Sequence, residues 1–276
     1  MAASRGRLRR RRIREAHSAA SRVVGVLGQS HTVPTMYRRI LVGYDGTETA
    51  RDALALAREL ARIEGASLVL VSALELDPLA TPASAYERAT TEAEARLAES
   101  ARELLGETPF ELRVVGGVSA PRALTEYAEA ERADVIVLGS THRHGLGRVV
   151  PGSVGERLLH ASPCAVMVAP SGYAGREGLE IKRIGVGYDG RTESGHAREI
   201  GAALARDLGA TLETITVGEG EGEPAEVLAA HSRELDLLVV GSRGYGPVRH
   251  ALVGNVSWAV MRTAACPVIV VPRSAT

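Results

Sequence analysis

The chain carries the same text twice. Ile40-Leu41-Val42-Gly43-Tyr44-Asp45-Gly46 returns as Ile184-Gly185-Val186-Gly187-Tyr188-Asp189-Gly190. Further on, Val137-Leu138-Gly139-Ser140, a Gly-rich run to Gly152, and Cys164-Ala165-Val166-Met167-Val168 are matched by Val239-Val240-Gly241-Ser242, Gly254 and Cys266-Pro267-Val268-Ile269-Val270. A repeat on this scale implies two copies of one supersecondary plan and excludes a single large fold. The length of 276 residues agrees with two domains of roughly 100–200 residues each.

The chain is 45% hydrophobic but only 3% aromatic. Its cores must therefore be built from Val, Leu, Ile and Ala, which suits buried parallel strands under small-residue helix contacts. No apolar run approaches the ~18 residues of a membrane span, so no membrane partner is expected. The zero net charge conceals a split: residues 1–35 hold eight Arg against one Glu, leaving 25 basic against 32 acidic residues in the remainder. Such an arm can meet nucleic acid or anionic lipid. The stronger reading is a disordered extension, or a segment ahead of a natural start at Met36, which directly precedes Tyr37-Arg38-Arg39-Ile40; nucleic acid is not an expected partner. Val23 to Leu27 is too short for the apolar region of a signal peptide. Cys164 and Cys266 occupy equivalent positions on strands and read as small core hydrophobes rather than a disulfide, and a cytoplasmic location follows.

In domain 1, residues 37–170, short apolar runs at 40–43, 67–73, 111–116, 134–139 and 164–169 alternate with helical stretches. That alternation predicts βα units and a mostly parallel sheet. The helix at about 85–105 is the clearest: Ser84 and Glu87 form a capping-box pattern, Ala89, Ala93, Leu97, Ala101 and Leu105 recur every four residues, and Gly106 ends it. Residues 171–181 read as a linker. Domain 2, residues 182–273, is shorter. The repeat offset is 144 at Asp45/Asp189 and 102 at Gly139/Gly241, so about 42 residues, one helix and one strand, are missing between them. The expected architecture is α/β, with five strands in the first domain and four in the second.

Ligands of open parallel sheets bind beyond the carboxyl ends of the strands, where strand order reverses. Two features of each repeat converge there. One is the Asp closing the first strand, Asp45 or Asp189, followed by Gly and by hydroxyl residues (Thr47 and Thr49; Thr192 and Ser194). Its carboxylate either accepts hydrogen bonds from a ribose or adenine amine, or caps the next helix, and the two roles are compatible. The other is the Gly-rich connection after the fourth strand, 139–153 and 241–255, where glycines admit an anion to the backbone and a helix N-terminus follows. Ser153 adds a hydroxyl donor. Arg143, Arg148, Arg243 and Arg249 reach phosphates or form a solvated basic loop. His142 and His144 have the spacing of a metal pair but no third ligand, so they read as exposed loop residues. Trp258 is expected to pack its helix onto the sheet.

These motifs resemble the universal stress protein family: Val42-Gly43-Tyr44-Asp45-Gly46, the Gly139-Ser140 step, and Gly152-Ser153-Val154 ahead of the last strand, over essentially all of 37–273 and twice over. The resemblance implies doubly wound sheets of order 3-2-1-4-5. In one branch of the family it also implies ATP bound through a G-x2-G-x9-G-[S/T] pattern, with or without Mg²⁺; another branch lacks the pattern and holds no nucleotide. Carried over residue by residue, the first site comprises Asp45, Ala73, Gly139, His142, Gly152, Ser153 and Val154, with His142 in place of a glycine. The second comprises Asp189, Val217, Gly241, Gly244, Gly254, Asn255 and Val256, with Asn255 in place of the hydroxyl residue. Domain 1 is expected to be the better nucleotide site, and domain 2 weaker or purely structural.

No Walker-A lysine, metal motif or nucleophile elbow is present in the sequence, so the expected activity is adenine-nucleotide binding by a non-enzymatic stress-response sensor or regulator. A nucleotide-free partner-binding module and a slow ATP hydrolase are the alternatives. By the same resemblance, the apolar last strands are expected to pair with each other as an intramolecular pseudo-dimer or with a second chain as a homodimer.

Overall fold

Among the described residues, the Val-, Ile- and Leu-rich runs form nine strands of one sheet. The computed structural model describes residues 37–74, 76, 81–116, 119–141, 149–217, 222–242 and 254–272. The first repeat contributes β1 (Arg39–Gly43), β2 (Ser67–Leu74), β3 (Phe110–Gly116), β4 (Val135–Gly139) and β5 (Ala165–Ala169). The second contributes β6 (Arg183–Tyr188), β7 (Thr211–Thr216), β8 (Leu237–Gly241) and β9 (Val268–Val271). Their order is β3-β2-β1-β4-β5-β9-β8-β6-β7. Each half is parallel within itself, as expected of strands whose apolar residues run continuously and are buried on both faces. The first half has the order 3-2-1-4-5; the second repeats it without the outermost strand. The two last strands pair within the chain: β5 and β9 are antiparallel, with Met167 opposite Ile269.

The helices are α1 (Glu48–Leu60), α2 (Ala83–Leu105), α3 (Ala120–Ala130), α4 (Ser153–Ala161), α5 (Thr192–Leu208), α6 (Pro224–His231) and α7 (Asn255–Thr263). Helices α1, α2 and α5 cover one face of the sheet, and α3, α4, α6 and α7 the other. Both apolar layers run without a break across the β5–β9 junction. Met167 and Ile269 share the first layer, while Val166, Val168, Val268 and Val270 share the second. Trp258 packs against the second layer, as its sequence setting suggests.

Two local expectations are corrected. Helix α2 does not start from a Ser84–Glu87 capping box; it begins at Ala83 behind Pro82, whose carbonyl accepts the N–H groups of Ala85 and Tyr86. Proline's fixed φ already suits a helix entry, so no side-chain cap is needed and Ser84 lies exposed inside the first turn. The four-residue repeat does bury Ala93, Leu97, Ala101 and Leu105, and Gly106 ends the helix at φ 57°. Second, the cysteines lie just before β5 and β9, Cys164 by one residue and Cys266 by two, and not within them. Both are free and buried, and burial pushes the Cys164 thiol up to about 11 and the Cys266 thiol up to about 12. The β5–β9 register puts them at opposite ends of the pair, ~20 Å apart at about 3.3 Å per residue, far outside disulfide reach. Residues 171–181, which read as the linker, are themselves structured. They carry a 3-10 turn at Tyr173–Gly175 and bury Ser171, Tyr173 and Ile181. The N–H groups of Gly172 and Ala174 both donate, at 2.8 Å, to the carboxylate of Asp52, a buried residue of α1.

The shortening of the second repeat has a visible local consequence. Tyr44 is buried beneath α2 and donates its hydroxyl to Ser100 at 2.9 Å. Its counterpart Tyr188 has no such helix above it and is half-buried, with the Arg198 guanidinium 4.8 Å over its ring.

Candidate functional site

The strand order reverses between β1 and β4 in the first repeat and between β6 and β8 in the second, so the sites must lie at the carboxyl ends of those pairs. β1 ends at Gly43, and Tyr44 still donates its N–H to Val71 of β2 at 3.0 Å. The chain then leaves the sheet through Asp45 and Gly46, which has φ 81° and so occupies the left-handed region. The cap of α1 is Thr47, whose hydroxyl accepts the Ala50 N–H. Asp45 supports that cap instead of forming it: its Oδ1 accepts the Thr47 N–H at 3.0 Å and the Thr47 hydroxyl at 2.6 Å. Its Oδ2 makes no hydrogen bond among the described residues, and Asp45 is exposed.

The second repeat solves the same turn differently. Position 191, equivalent to Thr47, is an arginine that makes no side-chain cap. Ser194 compensates by donating its hydroxyl to Asp189 Oδ1 at 2.7 Å, and the Arg191 N–H donates to the same oxygen at 3.2 Å. Asp189 Oδ2 faces Arg191 Nε at 3.9 Å. Asp189 is thus more fully occupied by its own chain than Asp45.

Gly139 and Gly241 end β4 and β8 beneath the first turns of α1 and α5. A Cβ on Gly139 would stand 1.7 Å from the Thr49 carbonyl oxygen; on Gly241 it would stand 2.6 Å from the Glu193 carbonyl oxygen. Helix–strand packing alone dictates glycine at both places. Gly152 is different. It is the N-cap of α4 at φ −75°, a backbone open to any residue, and a Cβ there meets nothing within 4 Å among the described residues. Residues 149–152 return to the end of β4 by a Ser140–Pro151 bridge, by the Val150 N–H donating to Ser140 Oγ at 2.6 Å, and by the Thr141 N–H donating to Val150 O at 2.9 Å. This closure sets the N-terminus of α4 beside the switch point. The N–H groups of Ser153, Val154 and Gly155 open that helix without intrahelical acceptors, and Gly152 provides no side-chain cap. Gly254, Asn255 and Val256 take the same positions at the start of α7, with Ser257 anchored by donating to Gly241 O at 2.8 Å.

The pairing of Ala73 with Val217 also follows from register: Gly43 is opposite Val71 and Gly187 opposite Ile215, so both residues lie two positions further along. In the second repeat a cleft of about 100 Å³ draws together Asp189, Val217, Gly241 and Val256, with Ser194 and Leu228 in its walls. That volume is below the roughly 300–1,000 Å³ of most ligand pockets. Leu228 and Pro224 of this cleft escape the sequence reading because they are apolar residues without a motif, and Ser257 escapes because it lies two residues past the expected position; Tyr188 belongs to the repeated strand motif itself. His142, His144, Arg143, Arg148, Gly244, Arg243 and Arg249 lie outside the described residues. Among the described residues no His, Cys, Asp and Glu side chains gather in a group that could hold a metal ion.

This is the geometry of a tandem doubly wound α/β protein whose two switch points each combine an aspartate with a helix N-terminus. The universal stress protein family model matches residues 36–170 and 213–272, and the chain belongs to that family. A universal stress protein of Mycobacterium tuberculosis is 28% identical over 291 residues, covering 84% of this chain and 99% of its own length. A shorter one from Synechocystis is 30% identical over 148 residues, covering 52% of this chain and 92% of its own. Among solved structures, a universal stress protein from Archaeoglobus fulgidus aligns with a TM-score of 0.68 at 18% identity, over 85% of this chain and 98% of its own, a likeness of fold.

Proposed function

We propose that the chain binds an adenine nucleotide, ATP foremost, at the first repeat and acts in the cytoplasm as a non-enzymatic regulator. The observation that carries this reading is Gly152. Nothing in the packing of the described residues requires glycine there, yet it stands at the mouth of α4 where a side chain would obstruct an anion approaching the Ser153, Val154 and Gly155 N–H groups. The Ser153 hydroxyl adds a donor, and the unengaged Asp45 Oδ2 offers an acceptor to a ribose. Any Mg²⁺ would arrive on the phosphates. Asp45 is tied to Thr47 by two hydrogen bonds, an arrangement that supports binding better than proton transfer to an attacking water.

For the second repeat we favour a weaker or structural role. Its cleft is small, its aspartate is already bonded to Ser194 and Arg191, and Asn255 replaces the serine. The test is to purify the full chain and its Gly152→Val variant, denature both, and identify released nucleotide by chromatography and mass. Near-stoichiometric adenine nucleotide in the wild type, lost in the variant with unchanged circular dichroism, is expected. A chain that releases none and takes up none from millimolar ATP-Mg²⁺ overturns the reading in favour of the partner-binding module.

A further inference from the structure

We propose that the outer edge of β7 is a homodimerisation surface, on which a second copy of the chain adds its own β7 antiparallel across a two-fold axis at Thr214. The inference goes beyond nucleotide binding and does not depend on it. In the first repeat, β2 is an interior strand. The Ser67 N–H donates inward to Arg38 O at 2.7 Å, and the residues alternating with it face β3, which pairs along Leu68–Leu74. In the second repeat the Thr211 N–H likewise donates inward, to Lys182 O at 2.8 Å. By the same alternation Leu212, Thr214 and Thr216 turn their N–H and C=O groups outward, where no strand pairs with them among the described residues. Among the described residues, the shortening has converted a paired strand into an open edge.

The two edges of the sheet are not alike. β3 carries an exposed Glu111–Arg113 ion pair at 2.8 Å, and the N–H at its end, on Gly116, donates to the Tyr86 hydroxyl of α2 at 3.1 Å. Charges and a covering helix are how edges are kept from pairing. Among the described residues β7 has neither device. It contains no Pro, Lys or Arg, and its one charge, Glu213, is engaged with His231 at 3.2 Å and Arg183 at 3.7 Å.

The sequence of β7 also selects a register. Centred on Thr214, an antiparallel pair sets Leu212 opposite Thr216 of the other copy and Thr214 opposite itself. All the outward groups are then used, in about six hydrogen bonds. Glu213 falls opposite Ile215, so no like charges meet. Centring one residue earlier would place Glu213 against Glu213 and carry Thr216 past the end of the partner's strand, leaving about four of the six bonds. The contact is isologous and closes at two subunits.

Sedimentation velocity on the full chain, from about 1 to 100 µM, tests the proposal alongside Thr214→Pro, Thr214→Lys, Thr214→Cys and a chain lacking residues 1–35. Thr214 donates outward, so proline there removes none of the bonds to β6. We expect a wild-type dimer at tens of micromolar, weakened at least about a hundredfold by Thr214→Pro and Thr214→Lys with circular dichroism unchanged. Thr214→Cys should give a disulfide-linked dimer under mild oxidation that reductant reverses. If the proline variant loses its fold, the lysine variant decides. A monomeric wild type, or a dimer that survives the substitutions, overturns the proposal. So does a monomer that dimerises only without residues 1–35, which would make that segment the occupant of the edge.

Discussion

Gly139 and Gly152 belong to one motif, yet the structure predicts opposite consequences for changing them. An alanine Cβ at Gly139 starts 1.7 Å from the Thr49 carbonyl oxygen and 3.1 Å from Thr49 Cα, so relief requires backbone to move. Clearing 3.0 Å asks for a shift of ~1.3 Å in the first turn of α1, whose Ala50, Ala53 and Leu54 are packed in the core at 5%, 0% and 0% exposure. We expect Gly139→Ala to cost about 3–5 kcal/mol, at the severe end for an overpacking substitution. Gly241→Ala meets the equivalent oxygen at 2.6 Å, needs only ~0.4 Å, and should cost about 1–2 kcal/mol. Gly152→Ala meets nothing at a permitted φ of −75° and should be neutral, or stabilising by about 0.4–1 kcal/mol through the unfolded state. Guanidinium unfolding followed by far-UV circular dichroism reads these as changes in midpoint at constant slope. The reasoning fails if Gly139→Ala lies within 1 kcal/mol of wild type, or if Gly152→Ala is the more damaging of the two.

Two further predictions concern buried groups away from the site. Asp52→Ala strips the acceptor from the Gly172 and Ala174 N–H groups and should destabilise by about 3 kcal/mol, with the fastest gain in hydrogen exchange at those two amides; unchanged exchange there would show that the connection between repeats is held by other contacts. The thiols of Cys164 and Cys266 are raised from 9.0 to about 11 and about 12 by burial, so the unfolded chain gives up these protons first. Their stabilising effect is whole below pH 9 and is lost as pH climbs from 9 through 11 and beyond, at about 1.4 kcal/mol per pH unit per thiol. The double variant Cys164→Ala/Cys266→Ala should flatten that alkaline slope in urea-unfolding measurements, and an unaltered slope would assign it to other groups.

The repeat made most of the fold readable. Once Asp45/Asp189 and Gly139/Gly241 were aligned, the loss of a helix and a strand followed from the offset alone, and the strand order of each half agrees with it. What the sequence hid was decided by competition between local options. Ser84-x-x-Glu87 is a plausible cap, but Pro82 pre-organises the turn two residues earlier. Asp45 and Thr47 are both good N-cap residues, and only the observed backbone decides that Thr47 caps while Asp45 bonds to it. Residues 171–181 read as a linker, and nothing local reveals that an aspartate about 120 residues earlier captures its N–H groups.

The same limit applies to the nucleotide motif, where a glycine has two physical meanings that letters cannot separate. Gly139 and Gly241 are required by carbonyl oxygens of the protein itself, so their presence is expected in any member of this fold whether or not it holds a ligand. Only a glycine with empty space before it and no demand from φ carries information about something outside the chain. In the first repeat that residue is Gly152, and the helix it opens begins with three N–H groups lacking intrahelical acceptors. A match to the pattern at Gly139 therefore supports the fold, while the argument for nucleotide rests on Gly152 and on the second oxygen of Asp45. Binding and stability should separate accordingly: substitutions at Gly139 act through folding, and those at Gly152 through the ligand.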